Sequence, residues 1–87
     1  MKKIIFFVSI FILLTQCTQH SDMKKIIKSD NAPNPVGPYS QAVMVDKTLY
    51  ISGQVAINPE NNELIIGSIE AESKQIMKNI KSILNQA

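Results

Sequence analysis

The sequence predicts a small α+β protein, an antiparallel sheet of about three strands packed on one long helix. Three observations predict it. Side chains alternate along residues 48–57, with Leu49, Ile51, Gly53, Val55 and Ile57 on one face and Tyr50, Ser52, Gln54 and Ala56 on the other. Ile76, Ile80, Ile83, Leu84 and Ala87 then fall at the spacing of one helix face. The two patterns are segregated, strands first and helix last, which separates this chain from alternating α/β folds.

Ahead of that domain lies a different kind of sequence. Met1-Lys2-Lys3 is a short positive start, and residues 4–14 (IIFFVSIFILL) form an apolar run of 11. That is the length of a secretory h-region, whereas a helix spanning the hydrocarbon core takes about 20 residues. The run closes on Leu14-Thr15-Gln16-Cys17, which resembles the lipobox of bacterial lipoproteins, where a cysteine is acylated and becomes the first mature residue. Gln16 is larger than the small residue usual before that cysteine. The expected organisation is a signal peptide at 1–16, a lipidated tether at 17–23 and a folded unit at 24–87. Its location is then the cell envelope, on a membrane outside the cytoplasm. His20 reads as a solvated tether residue.

Cys17 is the single cysteine, so no internal disulfide staples the domain, and no His or Cys cluster suggests a structural metal. Processing at Cys17 leaves 71 of the 87 residues, and a domain of this size buries only roughly 60% of its unfolded surface. Stability is therefore expected to come from a partner or from further chain. The whole chain carries a formal charge of +2, supplied by Lys2 and Lys3. From Cys17 onward seven lysines face seven acids. A neutral chain gives no electrostatic ground for nucleic-acid binding. Arginine is absent throughout.

Within the folded unit, residues 24–28 (KKIIK) read as a short strand centred on Ile26 and Ile27. Residues 29–40 (SDNAPNPVGPYS) contain Pro33, Pro35 and Pro38. Each fixes its own φ and biases the preceding residue toward extended backbone, giving an ordered, irregular connection that pins Tyr39. Residues 41–45 and 48–57 read as strands joined at Asp46-Lys47, a turn without the glycine of the strongest hairpin signals. Gly53 interrupts the apolar face of the second strand. Such a glycine marks either a bulge or a close approach by a ligand or another backbone, and both readings stand.

Asn58-Pro59-Glu60-Asn61-Asn62 is a turn cluster, and residues 63–66 add a few extended residues before Gly67. Ser68 is placed to cap a helix that carries Glu70 and Glu72 in its first turn, where the helix dipole favours acids. Lys74, Lys78 and Lys81 take a separate, solvated face. With no glycine or proline closing the helix, and an unpaired edge left on the sheet, the unit reads as part of a domain.

Several segments together resemble the first half of the Rid family, also called YjgF-type proteins. They are Asn31-Ala32-Pro33, Val36-Gly37-Pro38-Tyr39-Ser40-Gln41-Ala42, Tyr50-Ile51-Ser52-Gly53-Gln54-Val55, Asn58-Pro59 and the helix over residues 70–84. The resemblance runs over the 64 residues from Lys24 to Ala87 and about half of a usual family domain. It implies a sheet packed on helices, of the Rid and chorismate mutase-like type, assembled as a homotrimer with ligand sites between subunits. It implies hydrolysis of reactive enamines or imines such as 2-aminoacrylate to a 2-keto acid and ammonia, with no metal or organic cofactor. Tyr39, Ser52 and Gly53 match the family's substrate-binding positions. The family's carboxylate-binding arginine and acidic partner belong to the second half, so the catalytic residues themselves are unknown here. Lysine lacks the planar fork that grips a carboxylate. The 87-residue chain alone is therefore expected to be inactive. The alternatives are a non-enzymatic trimeric binding module and, less favoured by the neutral charge, an endoribonuclease.

Overall fold

The computed structural model describes residues 23–87. The expected signal peptide, Cys17, His20 and most of the tether lie outside the described residues. The described part is an α+β unit, with strands β1 (Lys24–Ile27), β2 (Ala42–Val45), β3 (Thr48–Ile51), β4 (Ile57–Asn58) and β5 (Glu63–Leu64), followed by helix α1 (Ile69–Gln86). Strands β1, β2 and β3 form one antiparallel sheet in that order, and β4 and β5 form a separate two-stranded ribbon.

Register decides what each face of the sheet carries. Ile27 pairs with Ala42, which pairs with Ile51, and this row faces the core. The next inward row brings Met44 opposite Leu49. Ile27 and Ala42 are buried with Ala32 and Ile83, and Met44, Leu49 and Ile51 pack against that cluster. Ile83 is the residue by which α1 enters the core. Full burial of such a side chain contributes about 1.5–3 kcal/mol. The opposite face carries the row Ile26, Val43 and Tyr50, of which Ile26 and Tyr50 are largely exposed.

The β2–β3 hairpin turns at Asp46-Lys47 with Asp46 in the left-handed region, at φ 52°. Aspartate tolerates that region better than most residues, so the turn forms without glycine. Asn62 does the same at φ 58° between β4 and β5. The connection is tied by Asn62 N donating to Asn58 O at 2.8 Å and by Asn58 Oδ1 accepting from Glu60 N at 3.0 Å.

The helix starts where the sequence predicts. Ser68 is the N-cap, with extended backbone and its Oγ accepting from Ala71 N at 3.1 Å, and Glu70 and Glu72 occupy the first turn. Its buried face follows the predicted stripe only in part, through Ile83. Gln75, Asn79 and Ile83 are its buried residues, whereas Ile76 and Ile80 are half-buried and Leu84 and Ala87 are exposed. Two amides displace the aliphatic stripe because they hydrogen-bond each other and backbone carbonyls, which removes the cost of burying them.

The predicted strand over residues 48–57 is also shorter than its alternation suggests. The ladder ends at Ile51, and residues 52–56 run irregularly into β4. The in–out pattern reverses there, since Val55 is 55% exposed and Ala56 only 4%. Gly53 accordingly lies in a connection and not in a strand interior.

Candidate functional site

Two irregular segments face each other beside the sheet, and each is held by a buried amide side chain. Residues 28–41 form the first wall. Gln41, just before β2, is 2% exposed. Its Oε1 accepts from Ser29 N at 2.6 Å. Its Nε2 donates to Ser29 O at 3.0 Å, Ala32 O at 3.2 Å and Pro33 O at 2.9 Å. Two N–H bonds serve three acceptors, so one of them is shared. A proline-rich connection has few backbone donors of its own, and Gln41 supplies the missing ones.

The loop so fixed presents Tyr39. Its amide donates to Gly37 O at 2.9 Å, a tight turn about Pro38, and its hydroxyl oxygen accepts from Val36 N at 3.3 Å. The ring lies on Gly37, where an added Cβ would stand 3.2 Å from Tyr39 Cε1. Gly37 is thus the position at which lack of a side chain lets the aromatic fold back on its own loop. Tyr39 stays 49% exposed, and none of these contacts uses its hydroxyl proton.

Residues 52–56 form the second wall. Ser52 N donates to Gln41 O at 3.0 Å, and the Ser52 hydroxyl donates to Ser40 O. Ser52 therefore clamps this wall to the first and spends its hydroxyl on doing so. Gln54 Nε2 bonds Ser52 O at 3.2 Å. Gly53 is exposed, and a Cβ built on it would meet nothing within 4 Å. Its backbone is also outside the left-handed region. Nothing within the described residues requires glycine there.

Between the walls is a cleft of about 30 Å³, bordered by Pro33, Pro35, Tyr39, Gly53, Gln54 and Val55 among others. The structure thus places Tyr39 and Gly53, two positions named by the resemblance, on the border of one cleft. Ser52 stands behind the cleft and is not among its lining residues. No charged side chain lines it, so this surface offers hydrogen bonds and apolar contact, with no counter-ion for an anion. Tyr39 also borders a second depression of about 140 Å³ with Ile26, Lys28 and Pro35. Among the described residues no group of three or more His, Cys, Asp or Glu side chains could hold a metal.

Sequence reasoning missed Gln41 and Asn79 as structural members of this site. Gln41 had a signal, a polar residue directly before an apolar strand and after a donor-poor loop. Asn79 was hidden by neighbouring isoleucines.

The sequence profile of a family described as endoribonuclease L-PSP matches residues 29–87. The 2-iminobutanoate/2-iminopropanoate deaminase of Mus musculus is 48% identical over 67 residues, 77% of this chain and 50% of that protein. A RutC family protein of Pyrococcus horikoshii is 45% identical over 65 residues, 75% of this chain and 52% of its own length. Among solved structures, a Rid family protein of Yersinia pestis superposes with a TM-score of 0.70 at 44% identity, covering 72% of this chain and 50% of that one. The chain spans about half the length of the curated relatives it matches.

Proposed function

This chain belongs to the endoribonuclease L-PSP (Rid) family, and from that premise we propose that it forms the N-terminal half of a domain that hydrolyses 2-imino acids. The observation that carries the reading is the placement of Tyr39 across an uncharged cleft from Gly53, whose backbone is bare on that side. A relative named for 2-iminobutanoate and 2-iminopropanoate deamination is 48% identical over the 67 residues it shares with this chain. Such substrates are small, flat and anionic. They suit a slot where main chain on one side and an aromatic ring on the other admit a thin molecule.

The chemistry asked of the site is modest. An enamine such as 2-aminoacrylate takes up a proton at its terminal carbon and gives one up from nitrogen, becoming the imine. Water then adds to the C=N carbon to form a carbinolamine. The carbinolamine's hydroxyl proton passes to nitrogen, and ammonia leaves as the C–N bond breaks and the C=O forms, giving the 2-keto acid. The requirement is orientation of the imine and placement of water and protons, tasks for positioned hydrogen bonds. The Tyr39 hydroxyl, free to donate, is the polar group proposed to face the substrate. The cleft as it stands holds about two waters, so the ligand enters as Tyr39 swings outward or lies at the mouth under a neighbouring subunit of a homotrimer.

Neither the cleft nor the rest of the chain contains arginine. The substrate carboxylate is accordingly proposed to be gripped by an arginine of the complementary half, as the family resemblance implies, because a guanidinium engages both oxygens at once. The 87 residues alone are proposed to be inactive. The test is keto-acid release from enzymatically generated 2-aminoacrylate, with the chain at micromolar concentration. Release at the buffer rate is expected, and turnover well above it would overturn the claim. Separately, pyruvate titrated into the labelled chain up to high concentration, where the missing carboxylate grip weakens affinity without preventing occupancy, is expected to move the Gly53 and Tyr39 resonances and leave β4 and β5 unmoved. No movement would remove the ligand reading.

A second reading is favoured by the neutral cleft: a binding module that keeps the family's assembly surface without its chemistry. Residues 1–23 are proposed as a signal peptide and lipid tether that place the protein in the cell envelope through Cys17. Lasting attachment takes more than one acyl chain, which a multiply acylated N-terminal cysteine provides.

A further inference from the structure

The Gly53 side of the cleft has little regular structure to hold it, since residues 52–56 join no strand ladder. Two links tie its later part to β4 and β5: Ile57 N donates to Val55 O and Ile65 N donates to Ala56 O, each at 2.8 Å. A third comes from the helix. Asn79 Nδ2 donates to Val55 O at 3.3 Å and to Ile57 O at 2.9 Å. Its Oδ1 accepts from Gln75 Nε2 at 2.8 Å, one helical turn away. Asn79 is 0% exposed, so its amide is shielded from water and relies on these partners.

The geometry points to Asn79 as the positioning residue of this wall, a peg by which α1 sets the backbone that carries Gly53, Gln54 and Val55. The inference rests on the cleft being a ligand site. It adds that ligand fit is controlled from the helix, through a side chain that never touches the ligand. Asparagine suits the task on chemical grounds. One amide presents two N–H donors on the same nitrogen, and the two carbonyls it bridges are two residues apart. The acceptor oxygen must then find a donor from elsewhere, and Gln75 at i−4 is the helix position that reaches it. Reversing the Asn79 amide would set its oxygen against two carbonyl oxygens. The two carbonyls therefore fix which way round the amide sits, and Gln75 supplies the donor that its oxygen then needs. Leucine has the same branched outline as asparagine and no donors, so it removes the bonds while keeping the packing.

The experiment compares amide hydrogen exchange residue by residue in the full chain and its Asn79→Leu variant. Ile57 and Ile65, whose amides bond the wall's carbonyls, are expected to exchange about tenfold faster in the variant, the β2–β3 hairpin amides changing less than about twofold. Unchanged exchange at Ile57 and Ile65 would overturn the inference. So would an equal rise throughout the sheet, the mark of a purely structural role. Where Asn79→Leu does not fold, Gln75→Met keeps the peg and removes the donor to its oxygen. It is expected to give the same regional pattern at about threefold, and its absence overturns the inference equally. Pyruvate serves as the ligand probe in a separate arm. A Gly53 shift present in the parent chain and at least about fivefold smaller in the variant supports control from the helix. If pyruvate moves nothing in the parent chain, the ligand reading fails, and the exchange result still decides whether Asn79 holds the wall.

Discussion

Gln41 bonds both backbone polar groups of Ser29, accepting from its N–H at 2.6 Å and donating to its C=O at 3.0 Å. A side chain thereby does what a neighbouring strand would do, twelve residues away in sequence. The same amide reaches Ala32 O and Pro33 O, so one residue gathers the loop that ends in Tyr39.

Replacing Gln41 with leucine is expected to destabilise the chain by about 2–3 kcal/mol, because it strands a buried N–H and several carbonyls at once. The urea midpoint measures it. Gln41→Glu is expected to be nearly as harmful, since a carboxylate accepts but cannot donate to those carbonyls. A midpoint within error of the parent for both variants would contradict the arrangement.

Gly53→Ala separates stability from binding. The new Cβ meets nothing within 4 Å and the backbone needs no positive φ, so melting is expected to be unchanged or higher by about 0.4–1 kcal/mol. The pyruvate-induced shift at neighbouring amides is expected to disappear, because the methyl occupies the face where a flat ligand would lie. Retained shifts would place the ligand elsewhere.

Gly67 and Ser68 form the entry to α1, and each is expected to be sensitive for its own reason. Gly67 has φ 145°, a conformation that a Cβ makes strained, and alanine there is expected to cost about 1 kcal/mol or more. Ser68→Ala removes the acceptor for Ala71 N and is expected to cost about 1 kcal/mol. Helical circular dichroism during thermal melting reads both.

Cys17→Ser is expected to move the exported protein from the membrane fraction to the soluble envelope fraction. Mass spectrometry of the parent's N-terminal peptide would show the acyl mass on residue 17. An unmodified cysteine in an intact leader would end the lipoprotein proposal.

How much of this was legible in the sequence depends on whether a residue's role is local. The Ser68 cap, the proline-bound loop and the Asp46 turn all follow from short-range backbone chemistry, and each appears where it was expected. Residues 52–57 misled because alternation of apolar side chains describes a ladder that the chain leaves at Ser52, whose hydroxyl and amide turn back to Ser40 and Gln41. The helix face misled for a related reason. Isoleucines at 76 and 80 announce burial, but they are only half-buried, and the amides at 75 and 79 lie deeper beside Ile83. The carbonyl partners of Asn79 lie more than twenty residues away. In the cleft, Tyr39 and Gly53 were singled out through the family resemblance, and the clamping role of Ser52 had no signal in the sequence.

The order β1-β2-β3 makes the two rims of the sheet chemically unlike. One rim begins Lys24-Lys25, whose ammonium groups hinder docking by a stray strand, a common guard against fibrous stacking. The other, Thr48–Ile51, carries no charge. Growth of this sheet by further strands therefore has a built-in direction, past Tyr50.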